Sequence, residues 1–225
     1  MNERPGQEAI ASPEPVLNRV AARFTDKFEG IFSPETVERV VFESYTALAR
    51  TATVTTHLPS LAEKFARDRL TALAQSQGLV TKTVPEILYV CVQNSGRSQM
   101  AAALTKHIAG DRVHVRSAGS QPAASLLPNV VEALAEIGIP MDEAFPKPLT
   151  DDVVRAADAV VTMGCGDACP LYPGKRYLDW DLADPAGLDL DGTRKVRDEI
   201  QRQIEHLLAE LGQESKLGDV AEANS

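Results

Sequence analysis

A short apolar run that ends beside a cysteine is the feature that most restricts how this chain can fold. Residues 87–92 (Ile-Leu-Tyr-Val-Cys-Val) are consecutively apolar, which is typical of a strand buried on both faces. A polar loop containing Gly96 follows, and a helical pattern then runs from Met100 to Ala109. The sequence therefore predicts a buried strand, a loop and a helix in direct succession.

The rest of the chain after this run keeps the same alternation. Residues 112–116 alternate like a strand, 128–138 begin with a proline and end with a glycine like a helix, and 159–163 form another apolar run. A last amphipathic helix is predicted from Thr193 to Leu211. Such alternation predicts a three-layer α/β domain with a parallel sheet.

The segment before the first strand has a purely helical pattern. Apolar residues recur at three- and four-residue steps from Leu17 to Phe28 and from Val37 to Leu48. Ser60 with Glu63 suggests a capping box that begins a third helix. We interpret these as an all-α three-helix bundle with a phenylalanine-rich core. The predicted division is a flexible N-terminus (1–12), a three-helix bundle (13–80), the α/β domain (81–212) and a flexible tail (213–225).

The charge is unevenly distributed, and this limits the partners. Residues 1–82 carry ten basic and ten acidic side chains, so the net charge of -9 lies entirely in residues 83–225. An acidic surface repels phosphodiester backbones, which argues against a nucleic-acid partner. No apolar stretch is long enough to span a membrane, and the first residues lack the apolar centre of a signal peptide. We therefore expect a cytoplasmic protein with no membrane partner.

The loop after the first strand has the composition of an anion site. Its length allows successive backbone N–H groups to point inward, and the following helix adds its positive end. Arg97 would close this cradle with its guanidinium, and the same surroundings would favour the thiolate of Cys91. We predict Cys91 as a nucleophile and the following residues as the oxyanion-binding loop: Val92, Gln93, Asn94, Ser95, Gly96, Arg97 and Ser98.

The other candidate site residues lie further along the chain. Asp184, fixed before a proline, is the best-placed candidate for a proton donor. Cys165 and Cys169 follow the strand at 159–163 and so share the carboxyl edge of the sheet with Cys91. Their spacing would permit a disulfide. Three thiolates could also hold zinc, but four ligands and C-x2-C spacing would be expected for a structural site, so we predict no metal.

Residues 86–211 resemble the thiol-dependent arsenate reductases built on the low-molecular-weight protein tyrosine phosphatase fold. The resemblance rests on three motifs: the run from Cys91 to Ala101, Ser117-Ala118-Gly119, and Asp184-Pro185-Ala186-Gly187. It implies that Cys91 attacks arsenate, that Arg97 binds its oxygens and that Asp184 protonates the departing hydroxyl.

The resemblance also implies the later steps and the reductant. Cys165 and Cys169 match the positions of the second and third thiols that release arsenite and carry the resulting disulfide outward, where thioredoxin reduces it. No tightly bound cofactor is then needed. Another branch of the family uses mycothiol, which remains an alternative reductant. Ala102 stands where some members carry a glutamate that helps hold potassium, so no potassium site is expected.

Two other kinds of function remain open at this point. A low-molecular-weight protein tyrosine phosphatase would share Cys91, Arg97 and Asp184, although Ala186 and Gly187 replace the aromatic residues that such enzymes usually carry there. A non-enzymatic metalloid-binding protein would account for the three cysteines but not for Arg97 and Asp184. The helical segment resembles the extra amino-terminal domain of some bacterial arsenate reductases and is a candidate surface for a homodimer.

Overall fold

Three helices precede an α/β unit in the computed structural model, which describes residues 12–164 and 169–222, and the side chains of the last helix as far as residue 212. The first three helices are α1 (Glu14–Lys27), α2 (Pro34–Ala49) and α3 (Leu58–Ser76). The remaining elements are β1 (Glu86–Cys91), α4 (Arg97–Ala109), β2 (His114–Gly119), α5 (Pro128–Ala135), α6 (Asp151–Ala156), β3 (Ala159–Met163), β4 (Arg176–Asp179) and α7 (Leu190–Glu222).

The four strands form one parallel sheet in the order β2-β1-β3-β4. Strand β1 is central and all six of its residues are buried, as a parallel strand covered on both faces requires. Cys91 is paired with Gly119 on one side and with Met163 on the other. The ends of three strands therefore meet at one edge of the sheet, and the predicted three-layer parallel fold is confirmed.

Alternate residues of β1 point to two different hydrophobic clusters. Ile87, Tyr89 and Cys91 pack with apolar residues of α4, α5 and α7 on one face of the sheet. Leu88 and Val90 pack on the other face, with Val153 and Val154 of α6 and with Ala72 of α3. The helical segment thus covers part of one face of the sheet through its third helix.

The three helices have a core of their own. It is formed by Leu17, Phe24, Val37, Val41 and Phe65 together with their buried neighbours. Ser33 caps α2, because its Oγ accepts the N–H of Thr36 at 3.3 Å. The apolar periodicity of this segment predicts helices, and the structure confirms them.

Helix α3 begins earlier than the capping-box pattern suggested. It starts at Leu58, and Pro59 lies in the first turn, where a residue without an N–H is tolerated. Ser60 is therefore inside the helix and is not its cap. The carboxylate of Glu63 pairs with Arg23 at 2.9 Å and with Arg67 at 3.3 Å.

Two further differences concern elements with weak sequence signals. Strand β4 has only four residues, none of them fully buried, so it lacks the apolar run or the alternation by which the other strands are recognised. Helix α7 continues to Glu222, into the segment predicted as a flexible tail, whose Gln, Glu, Lys and Ala residues are good helix formers.

The predicted boundary near residue 80 lies between α3 and β1. None of the helices in the described ranges is long and apolar enough to cross a membrane.

A buried ion pair joins the helical segment to the sheet. The Arg116 Nε of β2 lies 3.2 Å from the Glu86 Oε2 of β1, and the side chains are 5% and 1% exposed. The guanidinium also donates to the Asp68 carbonyl at 2.8 Å and to the Gln75 Oε1 at 3.2 Å, both on α3. One arginine therefore pairs with one oxygen of a buried carboxylate and fixes α3 against two strands.

Replacing this arginine is expected to destabilise the whole chain. Arg116→Met leaves the Glu86 carboxylate buried without its main partner and should lower the free energy of unfolding by about 3–5 kcal/mol. Urea denaturation followed by circular dichroism measures this. Arg39→Ala, which breaks an exposed pair with Glu43, is the control and should change stability by less than about 0.5 kcal/mol. Equal effects of the two variants would contradict the role given to Arg116.

Candidate active site

Cys91 lies at the end of the central strand and its sulfur is surrounded by hydrogen-bond donors. The residue is 3% exposed. Its Sγ accepts the backbone N–H of Asn94 at 3.2 Å and lies 2.9 Å from the Ser98 Oγ. The Asn94 Nδ2 in turn donates to the Ser98 Oγ at 2.8 Å, which leaves the hydroxyl hydrogen of Ser98 available to the sulfur. Both contacts direct hydrogen-bond donors at the sulfur.

Asn94 holds the loop in a strained conformation. Its φ is +49°, in the left-handed region that asparagine tolerates better than most residues. The side-chain Oδ1 accepts the Gln99 Nε2 at 3.0 Å and the backbone N–H of Lys147 at 2.8 Å. All polar atoms of this fully buried amide are thus used, and its backbone N–H points at Cys91.

The loop is anchored on the outside through its carbonyl groups. The carbonyls of Cys91, Val92, Gln93 and Ser95 accept backbone N–H groups from residues 120–127 at 2.8–3.2 Å. Helix α4 starts directly after Gly96, which provides no side-chain cap. The N–H groups of Arg97 and Ser98 therefore lack intrahelical acceptors and, with the helix dipole, suit an anion.

Arg97 and Asp184 come together although they are 87 positions apart. The Arg97 Nη2 donates to the Asp184 Oδ2 at 3.1 Å, and Nη1 donates to the Leu182 carbonyl at 3.2 Å. The other oxygen of Asp184 accepts the N–H of Ala186 at 3.1 Å. Gly164 has a φ of +71°, and a Cβ there would lie 3.2 Å from the Arg97 Nη1. The arginine is thus fixed beside the predicted proton donor.

Of the two remaining cysteines, the structure describes Cys169, which lies in a different hydrophobic cluster from Cys91. Cys165 lies outside the described residues. Cys169 is 8% exposed and packs with Leu88 and Val90, on the opposite face of the sheet from the cluster that contains Cys91. Close by, the Tyr177 hydroxyl donates to the Pro170 carbonyl at 3.0 Å and accepts the N–H of Tyr172 at 2.9 Å. Burial, with a smaller contribution from Cys169, raises the pKa of Tyr177.

For three residues of the site, the sequence analysis predicts no role in the loop. Gln99 and Lys147 support Asn94, and Gly119 packs against the loop so closely that a Cβ would lie 2.7 Å from the Val92 carbonyl oxygen. Lys147 also lines a cavity of about 680 Å³ beside α4 and β2, and burial lowers its pKa to about 8. These roles depend on contacts between distant segments and not on local spacing.

The described residues do not form a metal site. Within residues 12–164 and 169–212, no group of three or more His, Cys, Asp or Glu side chains is close enough to hold an ion. Because Cys165 is outside this set, the choice between zinc and no metal stays a prediction.

The fold and the loop define a class of protein. The central strand of the parallel sheet ends in a cysteine, and a loop with backbone N–H donors and an arginine follow it. This combination is typical of the phosphatase-like enzymes, which bind a tetrahedral oxyanion next to a thiol. The family model of low molecular weight phosphotyrosine protein phosphatases matches residues 86–217, and the chain belongs to this family. A second model, the N-terminal domain of protein-tyrosine-phosphatase-like proteins, matches residues 17–74.

The relatives include arsenate reductases and a phosphatase. An arsenate reductase of Staphylococcus epidermidis is 38% identical over 123 residues, 53% of this chain and 92% of that protein. A solved thioredoxin-dependent arsenate reductase of Corynebacterium glutamicum is 52% identical with a TM-score of 0.83, covering 89% of this chain and 98% of that one. The arginine phosphatase of Geobacillus stearothermophilus is 29% identical with a TM-score of 0.51, covering 58% and 94%. The resemblance inferred from the sequence motifs is confirmed.

The close contact at Gly119 provides a test of the loop geometry. Gly119→Ala would place a methyl group 2.7–2.9 Å from the backbone of Val92 and Asn94, so the loop must shift. We expect alkylation of Cys91 by iodoacetamide to slow by about tenfold or more. Peptide mass spectrometry measures the rate at this one cysteine. Gly212→Ala, where a Cβ meets nothing within 4 Å, should leave it unchanged; an unchanged rate in Gly119→Ala would contradict the geometry.

Proposed function

We propose that this chain reduces arsenate to arsenite, with Cys91 as the nucleophile. The observation that carries the proposal is the pair of donors on the Cys91 sulfur, the Asn94 N–H and the Ser98 hydroxyl, at the mouth of a loop that suits a tetrahedral oxyanion. The similarity to arsenate reductases over more than nine-tenths of the Staphylococcus protein supports arsenate as the substrate.

Substrate binding would begin with an exchange of partners at Arg97. The guanidinium is paired with Asp184. An arsenate in the loop would accept hydrogen bonds from Arg97 and from the N–H groups at the start of α4. Asp184 would then be released beside the arsenate, where its carboxylate can take up a proton from solvent and pass it to the departing oxygen. The Cys91 sulfur forms a bond to arsenic as that oxygen leaves as water.

The redox step would follow at sulfur. The thiolate of Cys165 attacks the Cys91 Sγ, a Cys91–Cys165 disulfide forms, and the electron pair of the broken S–As bond reduces As(V) to As(III), which leaves as arsenite. Cys169 then attacks Cys165, giving a Cys165–Cys169 disulfide and returning Cys91 to its thiolate. A dithiol protein such as thioredoxin supplies the two electrons that close the cycle.

Thioredoxin is the reductant that we favour over mycothiol. The Corynebacterium enzyme is thioredoxin-dependent, and its similarity to this chain extends over the helical segment as well as the α/β unit. Cys169 is buried, and Tyr177 holds Pro170 and Tyr172, which follow it. Reduction of a disulfide at Cys169 by thioredoxin therefore requires residues 169–172 to move outward. Opening would break two hydrogen bonds of one tyrosine and expose a small part of the apolar cluster.

Phosphoester hydrolysis is the second candidate, and the similarity to the arginine phosphatase favours it. The same cysteine, arginine and aspartate would act on a phosphoryl group, with water in place of the second thiol. Ala186 and Gly187 beside Asp184 offer no aromatic surface for a phosphotyrosine ring. We therefore rank hydrolysis below arsenate reduction.

The first test uses the coupled assay with arsenate, thioredoxin, thioredoxin reductase and NADPH. Wild type should oxidise NADPH in an arsenate-dependent way, and Cys91→Ser should lose at least about 10³-fold in kcat/KM because no thiolate attacks arsenic. Omission of arsenate and replacement of arsenate by phosphate are the controls. A wild type that oxidises no NADPH but hydrolyses an aryl phosphate would overturn the reductase proposal in favour of the second candidate.

The second test concerns Cys169 alone. Cys169→Ser should still release about one arsenite per chain in a single turnover, while steady-state turnover with thioredoxin falls by about 10²-fold or more. The product should be a Cys91–Cys165 disulfide, detectable by mass spectrometry of the trapped protein. Full steady-state activity of this variant would rule out the outward relay, and activity restricted to mycothiol and its partner enzymes would replace thioredoxin as the reductant.

A further inference from the structure

The connection between α5 and α6 contacts all three hydrophobic clusters of the molecule. Ile139 and Met141 are buried with Cys91 on one face of the sheet, and Leu149 packs against the cluster on the other face. Between them, the ring of Phe145 packs against the core of the three-helix segment. This connection (residues 139–149) is therefore where the helical segment and the α/β unit meet near the catalytic loop.

The backbone around Phe145 holds the loop that carries Cys91. The Phe145 carbonyl accepts the Gln99 Nε2 at 2.7 Å, and the same nitrogen donates to the Asn94 Oδ1 at 3.0 Å. Two residues further on, the Lys147 N–H donates to the Asn94 Oδ1 at 2.8 Å. The Lys147 carbonyl also accepts the Gly119 N–H at 2.8 Å, beside the loop. Both donors to the Asn94 Oδ1 therefore depend on this connection. The Lys147 N–H is part of it, and the Gln99 Nε2 is hydrogen-bonded to it.

Packing against the three-helix segment fixes the position of Phe145. Its ring is partly buried against the core of the three-helix segment, and the Lys147 Nζ lies 4.7 Å from the ring centroid. At the same end, Lys64 of α3 pairs with Glu143 at 3.6 Å, an exposed contact of little energetic weight. The apolar packing of one ring therefore attaches the connection to the helices.

The left-handed backbone of Asn94 makes this support necessary. A non-glycine residue in that region is strained and persists only where surrounding contacts fix it. If the Asn94 side chain loses its two donors, the backbone can relax and its N–H turns away from the Cys91 sulfur. The thiolate then loses a charge-assisted hydrogen bond.

We propose that the helical segment positions the catalytic loop, and that Phe145 is the positioning residue through which it does so. The proposal rests on the proposed function only in taking Cys91 as the reacting thiol. Phe145 does not touch substrate or the reacting sulfur. It acts through its own carbonyl, through Gln99 and through Asn94.

The experiment measures the reactivity of Cys91 in the full chain without arsenate. Phe145→Ala is expected to slow alkylation of Cys91 by iodoacetamide at pH 7 by about 3- to 10-fold, the effect of one lost hydrogen bond to the thiolate. The midpoint of the pH profile of alkylation should move upward, which a loss of stability alone would not cause. Peptide mass spectrometry follows Cys91 separately from the other cysteines. Phe145→Leu, which keeps apolar packing, should restore most of the reactivity.

Phe42→Ala is the matched control. Phe42 is also partly buried against the same helical core, but it lies on α2 and not in the connection that holds Asn94. It should lower the melting temperature comparably and leave alkylation of Cys91 within about 1.5-fold of wild type. Equal slowing in Phe145→Ala and Phe42→Ala, or wild-type reactivity and pH profile in Phe145→Ala, would overturn the proposal.

A second variant keeps the proposal testable if Phe145→Ala does not fold. Gln99→Met removes the amide that links the Phe145 carbonyl to Asn94 and preserves the length of the side chain. It should reproduce the slower alkylation and the shifted pH profile. Wild-type reactivity in this variant would overturn the proposed connection. Because the measurement needs no arsenate, its outcome is independent of whether the chain is a reductase or a phosphatase.

Discussion

The hydrogen bond from the Asn94 backbone N–H to the Cys91 sulfur depends on contacts from several distant segments of the chain. It requires a residue with positive φ three positions after the end of a buried strand, which costs about 1–2 kcal/mol for a side chain other than glycine. Asparagine can adopt that conformation and also offers an amide that others can hold. The donors that hold it come from α4 and from the connection between α5 and α6. The loop conformation is consequently a property of the assembled domain.

Much of this arrangement could be predicted from the sequence because it is local. The apolar run of β1, the loop that starts at Cys91 and the helix that follows are consecutive, and strand-helix alternation in the rest of the chain implies a parallel sheet. A parallel sheet places the ends of its strands at one edge, so the meeting of Cys91 and Gly119 follows from topology. The pairing of Arg97 with Asp184 was less accessible, since it required the family motifs to connect two distant segments.

The supporting residues could not be predicted for the same physical reason. Gln99 reads as an ordinary polar residue at the start of a helix, and Lys147 lies between two prolines in a segment without periodicity. Phe145 reads as an isolated apolar residue in a loop. Their roles arise from hydrogen bonds and packing across 46 or more positions of the chain, which no local pattern encodes. Strand β4 was missed because an edge strand of four residues carries neither an apolar run nor clear alternation.

The two faces of the sheet separate two kinds of chemistry that arsenate reduction would need. Cys91 belongs to the face covered by α4, α5 and α7, where the loop is held rigidly and an oxyanion can be attacked. Cys169 is packed on the opposite face, in the same cluster as Ala72 of α3. A thiol relay that ends at Cys169 therefore has to carry the disulfide from one face of the sheet to the other around the end of β3. The opening that exposes it to a reductant would take place next to α3, whose neighbours also support the loop through Phe145. The helical segment thus packs in the cluster that contains Cys169 and reaches the loop of Cys91 through Phe145, which gives a physical reason for its presence in front of a domain that already contains the nucleophile.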